Sequence, residues 1–294
     1  LLACLFFLLL AGCVQPSQRA KSVRTEAAPG EAMVAAADPL AVEAGLEILR
    51  EGGSAVDAAI AVAMTLGLVE PESSGVGGGG LLVHYRSRDG AIEAYDGREW
   101  APMGARPDMF LQANGEPMPF EIAQASGLSI GTPSLVAMLA MAHEAHGRLP
   151  WSRLMQPAIR LSEEGFVIGP RLARSLQTWR AAIAADPQAR SIYLDDAGQP
   201  WPQGHRLRNA EYARSLRAIA EQGARALTQG RIANEIIAAA QREPRAGTLS
   251  LDDLVAFAPR RLEPLCAPFR AYRVCSVPSP SSANAMLSIL GLYA

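Results

Sequence analysis

The glycine-rich residues 73 to 80 are the part of the sequence that most resembles a nucleotide-binding loop. Gly75, Gly77 and Gly80 satisfy the G-x-G-x-x-G pattern. In dinucleotide-binding proteins this loop joins a strand to a helix, so that the pyrophosphate lies at the helix N-terminus. Here the apolar pattern predicts a helix before the loop and a strand after it. We therefore expect the glycines to allow close backbone packing between a buried helix and a sheet edge.

A second motif, Gly127-x-Ser129-x-Gly131, matches the sequence of a nucleophile elbow. That elbow requires a strand leading into the serine and a helix starting directly behind it. Residues 120 to 126 do not have the pattern of a strand, and Pro133 delays the next helix. We therefore expect no catalytic serine here.

His143 and His146 lie three residues apart near the end of a predicted helix. Two imidazoles at this spacing would need a third ligand to hold a metal ion, and the sequence offers none at a recognisable distance. We expect two partly exposed histidines, with no metal ion and no cofactor in this chain.

The first thirteen residues form an apolar run that ends in Leu10-Ala11-Gly12-Cys13. The run is short for a membrane span, and polar sequence follows it. Small residues directly before a cysteine are typical of a bacterial lipoprotein signal. We predict a signal peptide over 1–12, lipid attachment at Cys13 and a polar tether over 13–32. The protein would then be exported and held on a membrane on the periplasmic or extracytoplasmic side. An ordinary secretory signal with an incidental cysteine is the alternative.

Two further cysteines, Cys266 and Cys275, flank a short segment that has the pattern of a hairpin. In an oxidising compartment they could form a cross-strand disulfide. Two unpaired, half-buried thiols are an equally good interpretation of the sequence.

The composition is that of an ordinary globular protein. Of the 294 residues, 49% are hydrophobic and 19% are charged, and the formal net charge is −2. Nucleic-acid-binding proteins carry a concentrated basic surface, and this balance argues against that class.

The elements that would position these residues follow from capping signals and apolar periodicity. Asp38-Pro39 predicts a helix start, and Ser54 with Asp57 predicts a second start at a capping box. The second helix, 55–68, is apolar on nearly every face and should be buried between layers. Further predicted elements are a hairpin of strands at 81–85 and 91–95, helices at 134–146, 151–164, 170–185, 209–222, 230–242 and 250–257, strands near 262–266 and 271–277, and a last helix from residue 281. The pattern indicates a layered α/β domain with a mainly helical extension.

An ordered series of segments resembles the gamma-glutamyltranspeptidase family. The series includes Asp96-Gly97-Arg98-Glu99 and covers the chain from about residue 32 onward; its segments are 38–50, 52–61, 70–80, 96–102, 149–151, 157–166, 229–233, 252–254 and 278–282. The resemblance implies that 33–294 is a large-subunit domain with the αββα sandwich of N-terminal-nucleophile hydrolases. Through it, the glycine segment is interpreted as a structural loop.

The resemblance also implies an activity and a partner. Proteins of this family are made as one precursor that cleaves itself into a large and a small subunit. The N-terminal threonine of the small subunit attacks a γ-glutamyl amide such as glutathione. The acyl group then passes to water or to an amino acid or peptide acceptor. That threonine is expected downstream of residue 294, so no catalytic residue is assigned to this chain, which alone should be inactive.

One substrate-binding residue can be assigned from the resemblance. Arg98 matches the family arginine that binds the α-carboxylate of the glutamyl group. A guanidinium suits this role because its planar fork pairs with both carboxylate oxygens.

Two segments depart from the family pattern, at Ser134 and at Ala283-Asn284, where the family has glycines. Either departure could mark a divergent branch with altered acceptor preference or lowered activity. Two alternatives for the function also stay open. One is a non-catalytic, lipid-anchored scaffold. The other is acyl transfer on a different amide, such as a cephalosporin side chain or poly-γ-glutamate.

Overall fold

The computed structural model describes residues 32 to 293. Helices in this part of the chain are α1 Pro39–Arg50, α2 Ala55–Val69, α3 Phe120–Gln124, α4 Leu135–His146, α5 Trp151–Leu154, α6 Gln156–Glu164, α7 Pro170–Thr178, α8 Arg180–Ala185, α9 Pro187–Tyr193, α10 Ala210–Gln222, α11 Gly230–Ala240, α12 Leu251–Ala256 and α13 Ala283–Leu292. Short 3₁₀ turns lie at Gly127–Ser129 and Gly223–Leu227. All of these elements belong to the compact unit Val34–Ala294.

The strands are β1 Gly80–Arg86, β2 Ala91–Gly97, β3 Phe166–Val167, β4 Arg206–Leu207, β5 Arg260–Leu262, β6 Leu265–Phe269 and β7 Tyr272–Ser276. The main sheet has the order β1-β2-β5 and is antiparallel. Strands β3 and β4 form one ribbon, and β6 and β7 form another. In the β1–β2 hairpin His84 lies directly opposite Glu93.

Both predicted helix starts at the beginning of the domain are confirmed. The Asp38 carboxylate accepts a hydrogen bond from the backbone N–H of Leu40 at 2.8 Å. At the next helix, the Ser54 hydroxyl accepts from Asp57 N at 3.1 Å, and the Asp57 carboxylate accepts from Ser54 N at 2.8 Å. This reciprocal pair is a capping box, which satisfies two N–H groups that a helix end would otherwise leave unpaired.

Helix α2 is buried between layers, as its all-round apolar sequence predicted. Its buried residues are Val56, Asp57, Ala58, Ile60, Ala61, Met64, Thr65, Leu68 and Val69. Asp57 is fully buried, and the same carboxylate that caps the helix accepts from the backbone N–H groups of Arg148 and Leu149 at 2.9 and 3.2 Å. One side chain therefore joins the start of α2 to the loop after α4.

The main core lies between the sheet and helices α2, α4, α6 and α10. Strand β1 alternates between half-buried and exposed positions along its length. Its exposed side chains are Leu81, Val83 and Tyr85. The inner face of the sheet packs on the helices, while the outer face of β1 presents apolar side chains.

Three sequence predictions about element boundaries differ from the structure. The expected helix 151–164 is divided after Leu154, where Pro157 lacks the N–H that would continue the hydrogen-bond ladder. The expected helix 170–185 is divided at Trp179. The expected strand 262–266 is divided between β5 and β6, which belong to different sheets.

Two helices were not predicted from the sequence, α3 and α9. Helix α9 begins with Asp186-Pro187, and the Asp186 carboxylate accepts from Ala189 N at 2.8 Å. This is the same Asp-Pro signal that opens α1.

The predicted signal peptide 1–12, Cys13 and nearly all of the predicted tether 13–32 lie outside the described residues. Among residues 32 to 293, no helix combines the length and the apolar character that crossing a membrane requires.

Candidate functional site

The glycine loop packs against the start of α4 and the end of β2. The carbonyl of Gly78 accepts hydrogen bonds from the backbone N–H groups of Ser134 and Leu135 at 3.0 and 2.9 Å. A Cβ atom on Gly79 would lie 2.5 Å from the carbonyl oxygen of Gly97, a contact that side chains do not make. Two N–H groups at this helix start are therefore satisfied by the loop. Close packing explains Gly79 and Gly80, whose Cβ atoms would meet Gly97 and Leu135, whereas a Cβ atom on Gly75 or Gly77 would meet no atom within 4 Å.

The turn that carries Arg98 is fixed by Asp96. Its carboxylate accepts from the backbone N–H of Arg98 at 2.9 Å and is only 2% exposed. The second carboxylate oxygen pairs with the guanidinium of Arg260 on β5, whose Nε lies 3.2 Å away. Ser134 Oγ donates to the carbonyl of Gly97 at 2.5 Å. The hydrogen bond within the turn, the ion pair with β5 and the hydrogen bond from Ser134 at the start of α4 therefore hold residues 96 to 98 in place.

In contrast to its backbone, the side chain of Arg98 is free to meet a ligand. It is 62% exposed, and Glu99 is its one ion-pair partner among the described residues, with Nε 3.4 Å from Oε2. Arg98 is one of the residues that line a cleft of about 540 Å³. Apolar side chains supply much of the wall of this cleft, among them Trp100, Met109 and Phe110.

A second cleft, of about 490 Å³, adjoins the first. It is lined by Ser73, Ser74, the glycine loop and Leu135, and the two clefts share Gly77 and Glu99. Arg98, the carboxylate residue Glu99 and the backbone of the glycine loop thus lie along one depression. This combination suits a small ligand that carries a carboxylate and an ammonium group.

Ser129 does not form a nucleophile elbow. Its hydroxyl donates to the carbonyls of Gln124 and Ser126, both at 3.0 Å, and it lies in a 3₁₀ turn. A Cβ atom on Gly127 would lie 1.8 Å from the carbonyl oxygen of Ala240. The motif glycine is therefore explained by a close backbone approach to the end of α11.

Comparison with known proteins identifies the family. The family model described as gamma-glutamyltranspeptidase matches residues 41–294. The chain belongs to the gamma-glutamyltranspeptidase family. The glutathione hydrolase proenzyme of Escherichia coli K12 is 36% identical over 252 residues, which cover 86% of this chain and 43% of that protein. The chain thus spans about half the length of this curated relative.

Solved structures of gamma-glutamyltranspeptidases share the fold. The Helicobacter pylori gamma-glutamyltranspeptidase has a TM-score of 0.83 at 29% identity, covering 89% of this chain and 74% of that chain. The transpeptidase enzyme CapD of Bacillus anthracis has a TM-score of 0.74 at 31% identity, covering 90% of this chain and 81% of that one. The predicted fold class, an α/β N-terminal-nucleophile hydrolase, is confirmed.

The two departures from the gamma-glutamyltranspeptidase pattern are accommodated without strain. Ser134 is buried, and its hydroxyl makes the hydrogen bond to Gly97 described above. Ala283 and Asn284 lie in the first turn of α13, where Ala283 is buried and Asn284 is exposed. None of these three residues has a positive φ, the region that favours glycine; Ser134 has a φ of −141°.

The histidines differ from the expectation of two partly exposed side chains. His143 fits it, with 20% of its side chain exposed and Nε2 2.9 Å from the carbonyl of Leu149. The side chain of His146 is only 8% exposed, and its Nε2 lies 2.6 Å from Glu93 Oε2 and 2.8 Å from Tyr95 Oη. Its ring also stacks on His84 with 4.0 Å between centroids.

Burial, hydrogen bonds and neighbouring charges shift the pKa values of Glu93 and Tyr95, which contact His146. Burial alone would raise the pKa of Glu93, but hydrogen bonds from Tyr95 and His146 and the charge of Arg261 hold the pKa below its ordinary value. Burial, followed by the hydrogen bond to Glu93, raises the pKa of Tyr95 to about 12.

Sequence reasoning considered only His146 of this group. His84 and Glu93 lie at equal distances from the turn at residues 87 to 90, so the hairpin symmetry could have shown that they face each other.

Cys266 and Cys275 are direct partners in the β6–β7 register, and their sulfur atoms form a disulfide. Of the two states that the sequence left open, the structure therefore has the bonded one.

Proposed function

We propose that this chain is the large-subunit part of an enzyme that transfers γ-glutamyl groups from glutathione and related amides. The observation that carries the proposal is the placement of Arg98: its backbone is fixed by Asp96, while its exposed side chain belongs to a residue that lines a cleft beside the glycine loop. The name of the Escherichia coli relative, glutathione hydrolase proenzyme, supports the same substrate class.

In the proposed complex Arg98 binds the α-carboxylate of the glutamyl group. Its planar guanidinium donates two parallel hydrogen bonds, which fix both the position and the rotation of the carboxylate. Glu99, at the junction of the two clefts, is placed to receive the α-ammonium group of the same donor. Binding the zwitterionic end in this way restricts where the γ-carbonyl can lie relative to the attacking hydroxyl, which lowers the entropic cost of reaction.

The chemical step is assigned to the N-terminal threonine of a small subunit made from the same precursor. Its hydroxyl oxygen would attack the γ-carbonyl carbon while the free α-amine accepts the hydroxyl proton. The amide C–N bond then breaks, and the leaving amine takes that proton. Water or an acceptor amine attacks the resulting ester and releases the threonine.

Two outcomes of the second step have support among similar proteins. The Escherichia coli relative is named a hydrolase, which indicates water as acceptor. The Bacillus anthracis neighbour is described as a transpeptidase, which indicates an amine.

The role of Arg98 can be tested in the full-length, processed protein with γ-glutamyl-p-nitroanilide as donor. Losing a charge-assisted carboxylate contact costs about 2 kcal/mol or more, so Arg98→Ala should lower kcat/KM about 30-fold or more, mainly through KM. Arg98→Lys should recover part of this loss, because it keeps the charge without the planar fork.

Arg88, which is exposed on the hairpin turn, provides the control. Arg88→Ala should leave the donor kinetics unchanged. An Arg98→Ala enzyme with normal KM and kcat would show that the α-carboxylate is bound elsewhere.

We propose further that the protein is exported and lipid-anchored through Cys13. The apolar run ending at Cys13 supports this, and the bonded Cys266–Cys275 pair is typical of an oxidising compartment. Mass spectrometry of the mature N-terminus should find a diacylated Cys13. A mature chain that begins beyond residue 13 would contradict the anchor.

A further inference from the structure

Three metal-ligand side chains meet at the inner face of the β1–β2 hairpin, apart from the residues that line the Arg98 cleft. His84 comes from β1, Glu93 from the facing position of β2, and His146 is the last residue of α4. One ligand atom from each side chain lies within 4.8 Å of the other two. Ligand atoms around a tetrahedral zinc ion are roughly 3.3 Å apart for bonds of about 2.0 Å. The rings of His84 and His146 are stacked, so a three-ligand set requires one imidazole to turn until both in-plane lone pairs point at the ion.

One imidazole nitrogen among these three side chains has no hydrogen-bond partner among the described residues. This nitrogen is His84 Nδ1, and it is buried. A buried polar atom without a partner loses its hydration with no compensation, and such atoms in native proteins require an explanation. A bound cation that accepts the lone pair of an imidazole would provide one.

The two oxygens of Glu93 have different surroundings. Oε1 faces the guanidinium groups of Arg86 and Arg261, with Arg86 Nη1 at 3.3 Å. Oε2 faces the nitrogen of His146 at 2.6 Å and the hydroxyl of Tyr95 at 3.1 Å. The arginines thus hold the carboxylate in place through one oxygen and leave the other directed at His146 and Tyr95. Such outer contacts commonly orient metal ligands.

We propose that His84, Glu93 and His146 bind one divalent transition-metal ion of the zinc class. Two imidazole nitrogens and one carboxylate oxygen suit Zn²⁺, Co²⁺ or Ni²⁺, whereas Ca²⁺ and Mg²⁺ prefer oxygen ligands. On binding, the ion replaces the hydrogen bond between His146 and Glu93. Because the two arginines oppose a second positive charge, we expect a dissociation constant in the micromolar range. The site links the hairpin to the end of α4, and this inference does not depend on the proposed γ-glutamyl chemistry.

Metal binding can be measured on the whole protein, purified without a polyhistidine tag and treated with EDTA. Titration with ZnCl₂ in a calorimeter should give one site per chain that requires His84. A ligand present at about 100 times its dissociation constant stabilises the native state appreciably, so saturating zinc should raise Tm by several degrees. Co²⁺ should give visible d–d absorption at the same stoichiometry, and Ca²⁺ should change neither Tm nor the spectrum.

The chain's four histidines supply matched variants. His84→Ala should weaken zinc binding at least tenfold, and Glu93→Gln should do the same. His143→Ala and His205→Ala lie outside the cluster and should bind zinc like the wild type. His84 is only partly buried, so His84→Ala is expected to fold, and its melting curve without metal shows whether it does.

Two results would overturn the proposal. One is a folded wild-type protein that shows no zinc binding and no Tm shift up to about 100 μM metal, well above the expected dissociation constant. The other is a His84→Ala protein with wild-type affinity, which would place any bound zinc at other residues.

Discussion

Asp96 shows how much one buried residue determines at the proposed substrate site. Its carboxylate fixes the backbone of Arg98 and pairs with Arg260 on the neighbouring strand. The contact with the Arg98 backbone involves its N–H group only, so the guanidinium remains available to a ligand. The precision of the site therefore comes from a side chain that does not line the cleft.

The close packing of the glycine loop leads to a stability prediction. Gly79→Ala would place a Cβ atom 2.5 Å from the carbonyl oxygen of Gly97 and 2.6 Å from Glu99 Cδ. Overpacking of this kind costs about 1–3 kcal/mol of unfolding free energy, measurable by urea denaturation. Gly77→Ala is the control, because no atom lies within 4 Å of its Cβ position. Equal stability of the two variants would contradict this account of the loop.

At the scale of elements, helix α12 anchors the loop that forms one side of the Arg98 cleft. Asp253, in the first turn of α12, accepts from the backbone N–H of Met103 at 2.7 Å. It also accepts from the N–H and hydroxyl of Ser250, at 2.9 and 2.7 Å. Burial would raise the pKa of Asp253, but these hydrogen bonds hold it below its ordinary value.

The lowered pKa of Asp253 predicts a pH dependence of stability. A carboxylate with a depressed pKa in the folded state contributes its full stabilisation above its unfolded pKa, and loses it as pH falls through the folded value. Asp253→Asn should therefore cost about 1–3 kcal/mol near neutral pH. The difference from the wild type should shrink below about pH 4.

Urea unfolding at about pH 6 and about pH 3 measures this difference. Asp252→Asn, an exposed neighbour in the same turn, should match the wild type at both pH values. A constant difference between Asp253→Asn and the wild type would mean that the charge of Asp253 is not involved.

At the scale of the whole molecule, the outer face of β1 is an exposed apolar surface. Leu81, Val83 and Tyr85 are exposed on one side of a strand whose other side packs on the core. In an αββα sandwich a second sheet covers this side. The proposed small subunit is the partner that would bring it.

This surface can be tested by a charge placed on β1 in the full-length protein. Val83 is 43% exposed, and Val83→Lys should reduce copurification of the small subunit several-fold, because a buried ammonium group is costly. Val167→Lys, at a strand position that is 53% exposed outside the main sheet, is the control. Normal assembly of the Val83→Lys protein would place the partner against another face.

Sequence reasoning was most successful where the signals are short in range. Asp38-Pro39 and the Ser54–Asp57 capping box gave the starts of α1 and α2, because a cap depends on residues three or fewer positions away. The same reasoning placed α4, α10 and the β1–β2 hairpin within a residue or two. It failed at Pro157, where the missing N–H of proline divides the expected helix, and at Trp179, where the helix breaks although the sequence pattern continues.

The sequence by itself therefore determined the family, the order of the main elements and the identity of Arg98 as a candidate ligand for a carboxylate. Only the tertiary structure decided that Asp96 and Arg260 fix the turn before it, and that His84 and Glu93 meet His146. Glu93 and His146 are separated by 53 positions, and Asp96 and Arg260 by 164. Contacts between residues so far apart in the sequence depend on how the strands pair and how the sheet packs against the helices, because local propensity acts only over a few residues.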